Sequence, residues 1–98
     1  MPAYLVGAIE IEDTEVYAEY VRQALKTVAD AGGRGLAIDD EAITLEGTRP
    51  ASRMVIFEFP SSEALQRWYD SPDYEQVRQL RWSSSSTHFL LNMAGREG

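Results

Sequence analysis

The chain has 98 residues, which is room for one domain (residues 1–98) with a single modest hydrophobic core. Nine basic residues against sixteen acidic ones leave a net charge of −7. Nucleic acid and anionic membranes are therefore not expected partners, because phosphate binding relies on clustered lysine and arginine. The absence of cysteine excludes disulfides and thiolate chemistry. No segment resembles a signal peptide or a membrane helix, so we predict a cytoplasmic location.

The first half of the chain predicts a strand, a helix and a second strand. Residues 4–11 are nearly all apolar, as expected of a strand covered on both faces. Residues 15–31 place apolar side chains at three- and four-residue spacing, which is typical of an amphipathic helix, and a glycine pair ends it. Residues 34–38 are the second strand. After an acidic turn, residues 42–45 are predicted to extend a β-ribbon.

The second half predicts a strand, a helix, a short helical piece and a last strand. Residues 53–59 form the third strand, and Ser61 is placed to cap a helix over residues 62–70. Ser71-Pro72 begins a further short helical piece, because proline is tolerated at the first helical position. Four serines then predict a flexible loop, and residues 87–93 form the last strand. The order βαββαβ predicts an α+β, ferredoxin-like fold with an antiparallel sheet.

Strand side chains alternate between two faces of the sheet, so each strand can be divided. The face assigned to the helices is apolar or glycine: Leu5, Gly7, Ile9, Ile11, Val55, Phe57, Phe59, Phe89, Leu91 and Met93. The opposite face is mixed: Tyr4, Val6, Ala8, Glu10, Met54, Ile56, Glu58, His88, Leu90 and Asn92. A face this apolar is not expected to stay in water. We therefore predict a homodimer in which two copies cover this face and close an α/β barrel.

One end of that predicted barrel cavity concentrates polar groups. With the first and third strands taken as parallel neighbours, Glu10 and Glu58 fall at the same end, together with His88. Such a group could perform acid–base chemistry, because burial and a neighbouring carboxylate both favour protonation. It could alternatively hold a divalent metal, although no spacing pre-arranges the three ligands. The third reading is structural, with Glu58 paired to a buried arginine and the other two groups at a wet rim.

Further residues complete the predicted pocket. Arg81 joins Glu58 and His88 as a catalytic candidate. The ligand-pocket candidates are Tyr4, Glu10, Met54, Trp68, Tyr69, Tyr74 and Asn92. Trp68, Tyr69 and Tyr74 have two possible roles: packing in the core or at an interface, and stacking on a ligand.

Several segments resemble the domain of unknown function family 1330 (DUF1330). The specific part is the run from Glu58-Phe59-Pro60-Ser61 through Trp68-Tyr69 and Ser71-Pro72 to Tyr74; Tyr4 to Gly7, Glu46-Gly47 and Leu80-Arg81 add weaker matches. The resemblance implies a ferredoxin-like fold in the dimeric α/β-barrel superfamily. The family has no established activity, and its superfamily includes cofactor-free monooxygenases, muconolactone-isomerase-like enzymes and haem-using members. The Asn92-Met93-Ala94-Gly95 ending departs from the acidic-glycine pair that many members carry.

Three functions follow as hypotheses. The first is a homodimeric binding domain, whose cavity holds a small apolar or aromatic molecule or nothing. The second is a cofactor-free enzyme that abstracts a proton from a ring substrate, with Glu58 as base and Arg81 or His88 stabilising the enolate. The third, haem binding, would need His88 as the axial ligand, because it is the only histidine. We predict no cofactor for the first two.

Overall fold

The computed structural model describes residues 1–96 and contains one sheet of four strands with three helices packed on one face. The strands are β1 (Ala3–Ile11), β2 (Arg34–Asp39), β3 (Arg53–Phe59) and β4 (Ser85–Ala94). The helices are α1 (Thr14–Asp30), α2 (Ser62–Asp70) and α3 (Pro72–Ser84). The predicted α+β class is confirmed. No helix within residues 1–96 is both long and apolar enough to cross a membrane, and the cytoplasmic location stays a prediction.

The sheet order is β2-β3-β1-β4, and all three neighbouring pairs are antiparallel. The expectation that the first and third strands run parallel was wrong. A crossover through α1 makes β1 and β2 run the same way. Since β3 returns from β2 as its antiparallel neighbour, it must oppose β1 as well. This sense of pairing is the one expected of a ferredoxin-like sheet.

The face assignment holds for β1 and β3 but is reversed in β4. Leu5 pairs with Asn92 and Gly7 with Leu90, which places these two β4 residues on the helix side. The open face therefore receives Phe89, Leu91 and Met93 from β4. Apolar residues occur on both faces of β4, so its alternation alone does not specify which face is buried. Pairing with β1, including a register shift next to Ala8, decides it.

Asp13 and Gly32 define the ends of α1. The Asp13 carboxylate accepts a hydrogen bond from the Val16 amide at 3.1 Å, which satisfies one of the free N–H groups of the first turn. At the other end Gly32 adopts a φ of 81°, a left-handed conformation that favours glycine. The Gly33 amide then bonds to the Val28 carbonyl at 2.9 Å. Both ends match the sequence prediction.

The serine run after α3 is not a flexible loop. α3 continues to Ser84 and β4 begins at Ser85, so the predicted short helical piece is a full helix. The Ser84 hydroxyl donates to the Leu80 carbonyl at 2.6 Å, and the Ser85 hydroxyl donates to the Arg81 carbonyl. These side chains satisfy carbonyls that have no partner at a helix end. The serines therefore join helix to strand directly.

Residues 40–52, between β2 and β3, form no regular structure, so the β-ribbon predicted over residues 42–45 was wrong. Gly47 has a φ of 85°, and Pro50 lacks the N–H group that a paired strand requires. Ile43 and Leu45 are almost fully exposed on this loop. The loop is tied to the sheet by an ion pair between Asp40 and Arg53, with a 2.7 Å hydrogen bond.

Ser71 ends α2 and caps α3 at the same time. Its hydroxyl donates to the Trp68 carbonyl at 2.8 Å and accepts from the Tyr74 amide at 3.2 Å. We expect Ser71→Ala to lower the free energy of unfolding by about 1 kcal/mol, the usual cost of losing an N-cap. Urea denaturation measures this loss. The control Ser83→Ala, at an exposed site on α3, is expected to change stability by less than about 0.5 kcal/mol. Equal effects of the two substitutions would contradict the capping role.

Candidate functional site

A narrow cavity of about 50 Å³ lies between the helices and the sheet. Its walls are largely apolar, with Leu5 and Ile9 from β1, Ala24 from α1 and Val55 from β3. The lining residues that have polar side-chain atoms are aromatic residues and arginines. These are Tyr17, Tyr20, Trp68, Tyr74, Arg53 and Arg81. An apolar cavity with a few convergent polar groups is the usual form of a small-molecule site.

Arg81 is the most buried charged group of this site, with 2% of its surface exposed. It lies on the inner side of α3 with Tyr74 and Val77, at the i, i+3 and i+7 positions of one helix face. One guanidinium nitrogen donates to the Thr87 hydroxyl, and Nε has no hydrogen-bond partner among residues 1–96. Burial lowers the pKa of Arg81, but the neighbouring Tyr74 and Tyr20 hydroxyls outweigh this effect and the pKa lies above its usual value.

Two tyrosines from different helices meet at the cavity. The hydroxyl oxygens of Tyr20 and Tyr74 are 2.7 Å apart, so one hydroxyl donates to the other. Burial is the main reason that the pKa of Tyr20 lies well above its usual value. Tyr20 is therefore protonated at neutral pH and can donate a hydrogen bond. The rings also pack edge-on, at a centroid distance of 6.4 Å.

Arg53 forms the opposite polar wall and is already paired. Two of its nitrogens donate to the Asp40 carboxylate at 2.7 and 2.9 Å. This hydrogen bonding lowers the pKa of Asp40 and raises the pKa of Arg53. The guanidinium also lies over the Tyr17 ring, 5.5 Å from its centroid. Arg53 thus connects the loop over residues 40–52 to the rim of the cavity.

The structure does not bring Glu10, Glu58 and His88 together. Glu58 lies opposite Tyr4 in the sheet, six positions along β1 from Glu10, a separation of about 20 Å at the usual strand rise. Glu58 pairs with Arg34 at 2.9 Å, and Glu10 accepts from the Ser52 amide and hydroxyl. The single pocket expected at one end of the sheet was wrong, because it followed from the parallel pairing.

His88 is exposed in β4, where the register with β1 shifts. Within residues 1–96 no cluster of three or more histidine, aspartate or glutamate side chains could hold a metal ion. The catalytic roles of Glu58 and His88, and an axial role of His88, stay predictions that no comparison tests.

The predicted ligand-pocket residues divide between the two faces of the sheet. Trp68 and Tyr74 line the helix-side cavity together with Arg81. Tyr69 packs on both of these aromatic rings but lies outside the cavity. The Asn92 amide donates to the Ser62 carbonyl at 3.1 Å, which places it on the helix side. The remaining candidates, Tyr4, Glu10 and Met54, alternate with the helix-facing residues of their strands.

Sequence reasoning missed Tyr17, Tyr20 and Arg53 as residues of a site. The two tyrosines appeared only as apolar positions of an amphipathic helix. For Arg81, which the sequence did predict, the spacing of four residues from Val77 and seven from Tyr74 places it on the buried face of a longer α3. The pairing of Tyr20 with Tyr74, 54 positions later, has no local signal at all.

The comparisons with known proteins identify the family. The model of the domain of unknown function (DUF1330) matches residues 2–94. The chain belongs to the DUF1330 family. The run of residues from Glu58 to Tyr74 that carried the resemblance lies within this match. No protein with a curated description matches the chain.

Solved structures with the same fold as this chain include proteins of known and of unknown function. The RPA0582 protein of unknown function from Rhodopseudomonas palustris superposes with a TM-score of 0.77 at 17% identity, covering 99% of this chain and 84% of that one. SnoaB, a cofactor-independent oxygenase from Streptomyces nogalater, superposes with a TM-score of 0.67 at 11% sequence identity, and the match covers 99% of this chain and 95% of SnoaB. An antibiotic biosynthesis monooxygenase superposes with a TM-score of 0.60 at 14% sequence identity, and the match covers 99% of this chain and 100% of that one. At these identities the likeness shows the fold alone.

Proposed function

We propose that this DUF1330 protein binds a small apolar or aromatic molecule in the cavity between its helices and its sheet. The observation that carries the proposal is the convergence of three tyrosines on a largely apolar cavity. In this proposal the ligand lies on the helix side of the sheet, inside one chain. The sequence had predicted a ligand on the open side, between two copies.

The cavity must widen to admit a ring. At about 50 Å³ it has room for a few water molecules only. Its rim includes Leu25 on α1 and Ile38 on β2, and both side chains are nearly half exposed. A ligand would therefore enter by separating α1 from β2, which is an edge strand paired on one side only. Of the remaining wall residues, Tyr20, Val21, Arg53 and Leu90 are partly buried and the others are buried.

Thermal shift with ring-sized fragments tests this proposal. We expect benzene, phenol and benzamide to raise the melting temperature, because they bind the folded state alone. The variant Ala24→Leu fills the cavity and is expected to lose the shift. Ala18→Leu makes the same change at an exposed position of α1 and is expected to keep it. A shift that survives Ala24→Leu in folded protein, or no shift with any fragment, would overturn the proposal.

We propose further that the open face of the sheet is covered by a second copy of the chain. Ile56, Leu91 and Met93 expose between 38% and 51% of their surfaces on this face. Exposed apolar residues gathered on one sheet face favour an interface. An isologous contact would cover them twice in a single dimer.

A second candidate function is a cofactor-free enzyme that abstracts a proton from a ring substrate. The observation that favours it is the Tyr20–Tyr74 hydroxyl pair beside Arg81, which could stabilise an enolate oxygen. SnoaB, which shares the fold, is described as a cofactor-independent oxygenase. Glu58 lies on the other side of the sheet and no carboxylate or histidine of residues 1–96 lines this cavity, so hydroxide from the solvent would take the proton while the tyrosine pair and Arg81 stabilise the enolate oxygen.

Deuterium exchange tests the enzymatic alternative. If the chain abstracts protons, it should accelerate exchange of the α-hydrogens of a cyclic ketone in D₂O, measured by NMR. Tyr74→Phe would then slow the exchange by about 100-fold, the usual cost of removing one hydrogen-bond donor to a developing oxyanion. Glu58→Gln would leave the rate unchanged. Loss of exchange in Glu58→Gln alone would move the site to the open face.

A further inference from the structure

We infer that the ligand of this cavity is a small ring that carries one anionic oxygen group, a carboxylate or a phenolate, and that Arg81 binds that group. The inference rests on the proposed binding function and names its ligand class. Among residues 1–96, the buried positive charge of Arg81 has no negative partner. An arginine is protonated at any physiological pH, so its burial requires an opposite charge or a full set of acceptors.

Arg81 has neither within residues 1–96. It forms no salt bridge there, its Nε has no acceptor, and its side-chain partners are the uncharged hydroxyls of Thr87 and Tyr74. After burial, the Tyr74 and Tyr20 hydroxyls have the largest effect on the pKa of Arg81. Both are neutral oxygens, and Tyr20 is held protonated by burial. The positive charge is therefore uncompensated when the cavity is empty.

The surroundings of the cavity strengthen this imbalance. The chain carries sixteen acidic residues, yet no aspartate or glutamate lines the cavity. Its only other cation, Arg53, is neutralised by Asp40. In a protein with a net charge of −7, the cavity wall has an excess of positive charge. An anion entering it would find its counter-charge already in place.

The tyrosine pair supplies the matching donor. Two hydroxyls carry two protons, and the bond between Tyr20 and Tyr74 uses one of them. The Tyr74 oxygen also accepts from Arg81, which uses neither of the two protons. One phenolic O–H is thus free to donate beside the guanidinium. A guanidinium and one hydroxyl suit an oxyanion, and the apolar walls suit the ring that carries it.

Arg78 provides a matched control on the same helix. Its Nε also lacks a partner among residues 1–96, and it is partly buried. Its guanidinium is stacked on Tyr69 and Trp82, 4.8 Å from each ring centroid, and it does not line the cavity. Removing the Arg78 charge should therefore leave ligand discrimination unchanged. Removing the Arg81 charge should abolish it.

Calorimetry with benzoate and benzamide tests the inference at neutral pH and low salt. The two probes share a ring and differ in charge. We expect benzoate to bind the unmodified protein at least about 10-fold more tightly, since a charge-assisted contact is worth more than a neutral one. In Arg81→Met the ratio should fall to about 1, while in Arg78→Met it should persist.

The outcomes separate the two proposals. Equal binding of both probes to the unmodified protein would overturn the inference and leave ring binding intact. Binding of neither probe would overturn both. A preference for benzoate that survives in folded Arg81→Met would also overturn the inference.

The unmodified protein also gives a test that needs no variant. Bound 4-nitrophenol should ionise at a lower pH than the free compound, which its phenolate absorbance reports. This second probe distinguishes a phenolate ligand from a carboxylate. An unchanged or higher ionisation pH for the bound phenol would exclude the phenolate form.

Discussion

Trp68→Ala is expected to lower the free energy of unfolding by about 3–5 kcal/mol, the usual cost of deleting a buried aromatic side chain. Trp68 is 4% exposed, and its ring centroid lies 4.0 Å from that of Tyr74 and 5.2 Å from that of Phe59. It therefore joins α2 to α3 and to the end of β3. Since small domains are stable by about 5–15 kcal/mol, this substitution would remove a large part of the total.

Urea denaturation followed by far-UV circular dichroism measures the effect, because the signal does not depend on the deleted indole. Trp68→Phe is the matched control. It keeps a ring in the core and removes the 2.9 Å hydrogen bond from Nε1 to the Thr27 hydroxyl, so we expect a loss of about 1–2 kcal/mol. A loss below about 1.5 kcal/mol in Trp68→Ala would show that this contact is not central to the core.

Leu91→Glu is expected to convert the proposed dimer to a monomer. Leu91 lies on the open face of β4, opposite Val6, and is 47% exposed in the single chain. In an isologous interface each dimer would bury two new carboxylates without partners. We expect the dissociation constant to rise by at least about 100-fold, because each buried charge costs several kcal/mol. Light scattering coupled to size exclusion measures the mass.

Trp82→Glu is the control for this prediction. Trp82 is similarly exposed, at 52%, but it lies on α3, on the helix side of the sheet. Its replacement should leave the mass unchanged. If the unmodified protein is a monomer at micromolar concentration, the second copy is not what covers the open face. If Trp82→Glu dissociates the dimer and Leu91→Glu does not, the interface lies on the helices.

Local patterns were sufficient to predict most elements of this fold. The apolar runs of β1 and β3 and the periodicity of α1 and α2 placed these elements within one or two residues of their observed bounds. The N-cap residues were predicted correctly for the same reason. Asp13 and Ser61 act within three positions of their own place in the chain. The family match over residues 2–94 also follows from sequence alone.

Local patterns failed where two distant segments had to be combined. β4 is apolar on both faces, so only its pairing with β1 decides that Leu91 faces outward and Leu90 inward. The sense of pairing between β1 and β3 likewise depends on the whole crossover. A parallel pairing of β1 and β3 predicts Glu10 and Glu58 at the same end of the sheet. In the antiparallel pairing they lie far apart.

From sequence alone, the α+β class, the order of most elements and the DUF1330 family were determined, because each depends on short-range periodicity or on a contiguous run of residues. Only the tertiary structure decided where a site could be. The cavity joins Tyr20 on α1 to Tyr74 and Arg81 on α3, and Arg53 on β3 lines its other side. Whether a buried arginine has a counter-charge depends on every element packed around it. No property of Arg81's neighbours in sequence carries that information.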